Sequence, residues 1–77
     1  MKIRVKLFAS LRERVGFTDK EVVLEQGQTV ADVWSAVAPD GNIPDDVLMA
    51  VNMHYVKSDA PVSDGDEVAF FPPVTGG

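Results

Sequence analysis

The segment Phe71-Pro72-Pro73-Val74-Thr75-Gly76-Gly77 holds the groups best suited to chemistry in this 77-residue chain. Two consecutive glycines carry no β-carbon, so their backbone can pass a narrow channel and bring a carboxylate at Gly77 close to a nucleotide or metal in another protein's site. The prolines hold the chain near polyproline geometry, at about 3.1 Å per residue, so the arm from Pro72 through Pro73, Val74, Thr75 and Gly76 to Gly77 can reach up to roughly 20 Å. A carboxylate is inert until one oxygen is exchanged for a better leaving group, typically by adenylation, after which sulfur or an amine can attack the carbonyl. On this reading the reactive atom is the carboxyl carbon of Gly77. A glycine-rich terminus that simply frays is the competing reading.

No other group competes for that role. The absence of cysteine excludes disulfides, zinc knuckles, thiolate nucleophiles and cysteine-ligated clusters. His54 is the single histidine, near a turn and without a second ligand type, which reads as a solvated residue and predicts no metal site. Met49 and Met53 alternate with Val51 and read as core filler. Lys2, Arg4 and Lys6 line one face of a strand, where a solvated edge is a simpler account than a phosphate site.

The charges are segregated. Met1 to Arg14 holds five bases against one acid, net +4, while Val15 to Gly77 holds two bases against eleven acids, net −9. A mostly acidic surface repels phosphate backbones and anionic lipid, so neither nucleic acid nor a membrane is expected as partner, whereas a basic protein surface suits it. An acidic surface kept for solubility accounts for the same numbers. Met1 to Ala9 has no long apolar run, so it predicts neither a signal peptide nor a membrane span, and a cytoplasmic location follows by default.

The arm needs a body to carry it. At this length one hydrophobic core is expected, giving a single domain over 1–71 and an extended tail over 72–77, so an active site shared between domains must involve another chain. Lys2 to Phe8 alternates with period two, placing Ile3, Val5 and Leu7 on one face of a strand. Ala9 to Val15 predicts a helical turn ending at Gly16, and Glu21 to Glu25 a second strand pairing back on the first. Thr29 precedes Val30, Val33, Trp34 and Val37 at helical spacing, with Asp32 in the first turn where the helix dipole favours it. That helix runs to about Ala38 and is stopped by Pro39, Asp40 and Gly41. Leu48 to Met53 predicts a strand, Asp64-Gly65-Asp66 a turn, and Glu67 to Phe71 the last strand. Two strands, a helix, then two or three strands predict an α+β domain: one main helix across a mixed sheet, first and last strands side by side, as in the ubiquitin-like β-grasp fold.

The run Asp64-Gly65-Asp66-Glu67-Val68-Ala69-Phe70-Phe71-Pro72-Pro73-Val74-Thr75-Gly76-Gly77 resembles the C-terminal signature of molybdopterin synthase small subunits, without a break through fourteen residues. Leu7-Phe8-Ala9 with Leu11-Arg12-Glu13 is similar to the family's first strand and turn, and Ala50-Val51-Asn52 to its third strand. The resemblance implies that an adenylating, E1-like enzyme uses ATP to activate Gly77, that a sulfur donor converts it to a thiocarboxylate, and that the large synthase subunit accepts the tail. Sulfur would then pass to cyclic pyranopterin monophosphate to build the molybdopterin dithiolene, within a heterotetramer of two small and two large subunits. It also implies that the chain binds no cofactor of its own, that catalytic residues lie on the large subunit, and that Arg12 belongs to the partner-binding surface.

Strand parity points to a docking face independently. With Ile3, Val5, Leu7, Val68 and Phe70 turned inward, Phe8 and Phe71 point outward on neighbouring strands; a bulge that turns either inward is the alternative. The family resemblance implies that Phe8, Tyr55 and Phe71 form the patch that meets both protein partners. Carriers of the thiamin pathway and ubiquitin-like modifiers share the fold and a Gly-Gly end, though Phe71-Pro72-Pro73-Val74 argues against both. A purely structural interaction domain would tolerate extra residues beyond Gly77.

Overall fold

The computed structural model describes residues 1–38, 43–44 and 46–72, with Arg14 described through its backbone alone. The predicted helix stop at Pro39, Asp40 and Gly41, and the tail from Pro73 to Gly77, lie outside the described residues.

Alternation makes the sheet. In β1 (Lys2–Leu7) the side chains of Ile3, Val5 and Leu7 are buried and those of Lys2 and Arg4 are exposed. β1 pairs antiparallel with β2 (Asp19–Val23) and parallel with β5 (Glu67–Phe71), where Val5 lies beside Val68 and Leu7 beside Phe70. β5 pairs antiparallel on its other side with β3 (Leu48–Val51), which pairs with β4 (His54–Val56) to give the order β2-β1-β5-β3-β4. The expected contact of first and last strands is therefore present at the centre of a mixed five-stranded sheet.

Two expected strands are corrected. The second runs over Asp19–Val23 instead of Glu21 to Glu25, because its partner sets its limits: Lys2 pairs with Val23 and Lys6 with Asp19. The exposed Arg4–Asp19 bridge at 3.0 Å lies on this pair, contributing at most about 1 kcal/mol. The strand expected from Leu48 to Met53 stops at Val51; Asn52 and Met53 form a two-residue turn with φ of 49° and 71°, and the chain returns as β4. Met53 is therefore 92% exposed, not core filler, whereas Met49 packs against the core as expected.

The helices cover one face. α1 (Ser10–Val15) is a short turn that buries Leu11 and ends at Gly16, whose φ of 105° is a left-handed cap open to glycine at no steric cost. α2 (Val30–Val37) starts at Thr29, whose hydroxyl accepts from Asp32 N while the Asp32 carboxylate accepts from Thr29 N at 2.8 Å. This reciprocal cap satisfies two amide groups that the first helical turn leaves unpaired, an arrangement whose loss typically costs about 1 kcal/mol. Val30, Val33 and Trp34 on the inward face meet Ile3, Val5, Leu7, Val68 and Phe70, with Trp34 edge-on to Phe70 at 4.9 Å between ring centroids. One main helix across a mixed sheet, with the first and last strands adjacent, is the ubiquitin-like β-grasp fold.

Candidate docking face and C-terminal arm

Parity assigns the opposite sheet face to a different set of side chains. Phe8 follows β1 and still donates its N–H to Phe70 O at 3.3 Å, so the pleat continues and turns its ring outward, 42% exposed. Phe71, next after the inward Phe70, also points outward, and the two rings stack at 4.8 Å with 11° between their planes. Tyr55, on β4, brings its ring to 6.2 Å from Phe71 and is 73% exposed. The three residues expected to share a patch are thus together, and no bulge turns either phenylalanine inward. Ring pairs of this kind contribute about 0.5–1.5 kcal/mol beyond burial, so the cluster is preassembled before any partner arrives.

Beneath the rings the sheet is small. Ala50 and Ala69 are paired across β3 and β5 on the outward face, yet both are nearly buried. With Phe8, Met53, Tyr55, Glu67 and Phe71 they line a shallow depression of about 280 Å³. Leu48, paired with Phe71, adds another outward apolar side chain, 38% exposed. Lys6 reaches Glu67, one of the lining residues, at 3.4 Å, an ion pair at the edge of the depression. Sequence reasoning missed Leu48, Ala50, Met53, Glu67 and Ala69; alanines at two outward strand positions were the available signal, since a small residue there leaves room beneath its neighbours.

Arg12 stands apart from this face. It is exposed on α1, folds its Nε back to Ala9 O at 3.4 Å, and lines a separate depression with Glu13, Gly16, Phe17 and Thr18. Ala9, with φ of 52°, makes the sharp turn that lets α1 follow directly on Phe8. His54 lies exposed at the start of β4, as expected for a solvated residue, and no group of three or more potential metal ligands occurs among the described residues. No helix among them is long and apolar enough to cross a membrane.

β5 ends at Phe71, and Pro72 is half-buried immediately after it, so the residues proposed to carry chemistry begin beside the stacked rings. Pro73, Val74, Thr75, Gly76 and Gly77 lie outside the described residues.

Known proteins share this chain from end to end. The molybdopterin synthase sulfur carrier subunit of Escherichia coli is 42% identical over 84 residues, covering 97% of this chain and 99% of that protein. The protein of the same name from Haemophilus influenzae is 34% identical with the same coverage. Among solved structures, SAMP1 of Haloferax volcanii, a small archaeal modifier protein, matches all of both chains at a TM-score of 0.80 and 29% identity. The ThiS family model matches residues 5–77, taking in both the outward aromatic face and the Gly-Gly arm, and the chain belongs to the ThiS family.

Proposed function

We propose that this chain is the sulfur carrier of a molybdopterin synthase, with Gly77 as the residue that holds the sulfur. The observation that carries the reading is the end-to-end similarity to sulfur carrier subunits of that enzyme, at 42% identity, together with the unbroken Asp64 to Gly77 signature. The Gly77 carboxylate attacks the α-phosphorus of ATP on an adenylating partner, releasing pyrophosphate and leaving an acyl adenylate. Sulfur delivered at the hydrosulfide level then adds to that carbonyl and expels AMP, giving the thiocarboxylate. At the large subunit the thiocarboxylate sulfur bonds to a carbon of the pterin precursor and displaces an oxygen leaving group; water then cleaves the acyl–sulfur bond, leaving the sulfur on the pterin and returning the Gly77 carboxylate. The chain supplies reach and a transferable atom, and the partners supply nucleotide, substrate and catalytic groups.

Support for docked delivery comes from the placement of the aromatic face beside Pro72. A partner that grips Phe8, Tyr55 and Phe71 fixes Pro72 and so directs everything beyond it. Phe71→Ala and Phe8→Ala are accordingly expected to weaken binding to the large subunit by about 2 kcal/mol or more, since desolvated aromatics dominate such interfaces. Urea unfolding of each variant checks the premise: a stability loss of about 3–5 kcal/mol, typical of a fully buried phenylalanine, would contradict a docking role.

The direct test is intact mass of the full chain after incubation with an adenylating enzyme, ATP and a sulfur source. The expected product gains the mass difference of one sulfur for one oxygen, localised to Gly77 by fragmentation. Sulfuration elsewhere, or none with an enzyme that charges a known carrier, refutes the assignment. The fit to SAMP1 favours a second reading, in which the activated Gly77 joins a lysine amine of another protein. Amide-linked adducts in place of free thiocarboxylate in the same incubation would select it.

A further inference from the structure

The β3–β4 loop is two residues long, since Val51 pairs with His54, and both of its residues have positive φ. Loops of this geometry favour Asn followed by Gly. Asn52 meets the demand and is clamped to the start of β5: its amide donates to Asp66 Oδ1 at 2.9 Å, its Oδ1 accepts from Glu67 N at 3.0 Å, and its backbone N–H donates to Glu67 O at 2.8 Å. Met53 does not meet it. A residue with a β-carbon in the left-handed region is disfavoured by roughly a factor of ten in population, and glycine is not. The side chain of Met53 is 92% exposed, so packing within the domain does not offset that cost, yet it lines the same depression as Phe8, Tyr55 and Phe71.

A strained backbone held at an exposed apolar residue points to a use outside the domain. We propose that Met53 is a docking residue for the large synthase subunit, its thioether chain filling an apolar recess of that subunit next to the one that receives Phe71. The inference rests on the carrier reading above and extends its interface across the β3–β4 turn. An unbranched, polarisable side chain suits such a site, because it adapts to the partner's shape, and methionine is enriched at interfaces for that reason. The clamp by Asn52 gives the residue a fixed base from which to reach.

Opposite effects on stability and binding are what separate this proposal from a structural role. In the full chain, Met53→Gly is expected to leave the urea midpoint of the isolated domain unchanged or raised, as glycine relieves the turn. The dissociation constant for the purified large subunit, read by calorimetry, is expected to rise about tenfold, the scale of a moderately important interface side chain. Met53→Leu keeps the apolar volume and is expected to bind within about threefold of wild type. A lowered midpoint for Met53→Gly overturns the proposal, because the side chain would then serve the domain itself. An unchanged dissociation constant for Met53→Gly, with Phe71→Ala weakened, overturns it while leaving the docking face intact. Failure of the wild-type chain to bind the large subunit removes the carrier reading and this inference together.

Discussion

A chain extended by one residue beyond Gly77, or lacking Gly77, is expected to transfer no sulfur while unfolding at the wild-type urea midpoint. The two readouts separate because every fully buried residue among those described lies at or before Phe70, so the change removes none of that core. What moves is the reactive carbon, by about 3.3–3.6 Å along the arm. Misplacement by about 1 Å can already cost on the order of 100-fold in rate when reacting groups must be aligned, so a full residue takes the acyl group out of range. Gly76→Val should act in the same direction, since a β-branched side chain both narrows the backbone's options and widens the arm where it must thread. The measurement is product formed per carrier in single turnover, starting from chemically prepared thiocarboxylate so that activation is bypassed. Normal yield from an extended carrier would remove Gly77 from the mechanism.

Trp34→Ala should have the largest effect on the fold. Trp34 is 1% exposed at the centre of the α2–sheet interface and packs edge-on against Phe70 at 4.9 Å. Truncating a buried aromatic to alanine typically costs about 3–5 kcal/mol, through lost transfer free energy and the cavity left behind. A domain of this length is expected to have only about 4–12 kcal/mol in total, so the variant stands close to the unfolding threshold. Because Trp34 is the single tryptophan, circular dichroism must replace intrinsic tryptophan fluorescence as the probe. A loss below about 1 kcal/mol would show that the cavity collapses and that Trp34 is not the centre of the core.

The parts of the fold legible in the sequence are those with a clean period. Alternation in Lys2 to Leu7 and Glu67 to Phe71, and helical spacing from Val30 to Val37, each fixed an element and its buried face. From those faces followed the outward Phe8 and Phe71, so two of the three rings in the aromatic cluster were readable by parity alone. What escaped were features decided by partners. The limits of β2 depend on where β1 begins, and β4 is three residues long, too short to show a period. Met53 looked inward because alternation was carried through Asn52; the positive φ at both residues breaks the pleat there and sends Met53 to solvent. Asn52 was the available turn signal, and its weight went unrecognised because glycine does not follow it. The Asp32 carboxylate was expected to act through the helix dipole, whereas it also closes a direct hydrogen bond to Thr29 N.

The central position of β5 bears on how the protein folds. Among the described strands β5 joins the β2–β1 pair to the β3–β4 pair, and it follows the other four in sequence. Without Glu67 to Phe71 in place, the β2–β1 and β3–β4 pairs share no strand, and the apolar face of α2 lacks Val68 and Phe70. Tertiary closure must then wait for a pairing between residues more than sixty positions apart, as with Arg4 and Glu67, which places the domain among slower folders for its size. The same dependence brings Phe70 and Phe71 into the sheet only as β5 docks, so the aromatic face and Pro72 take their places in one step.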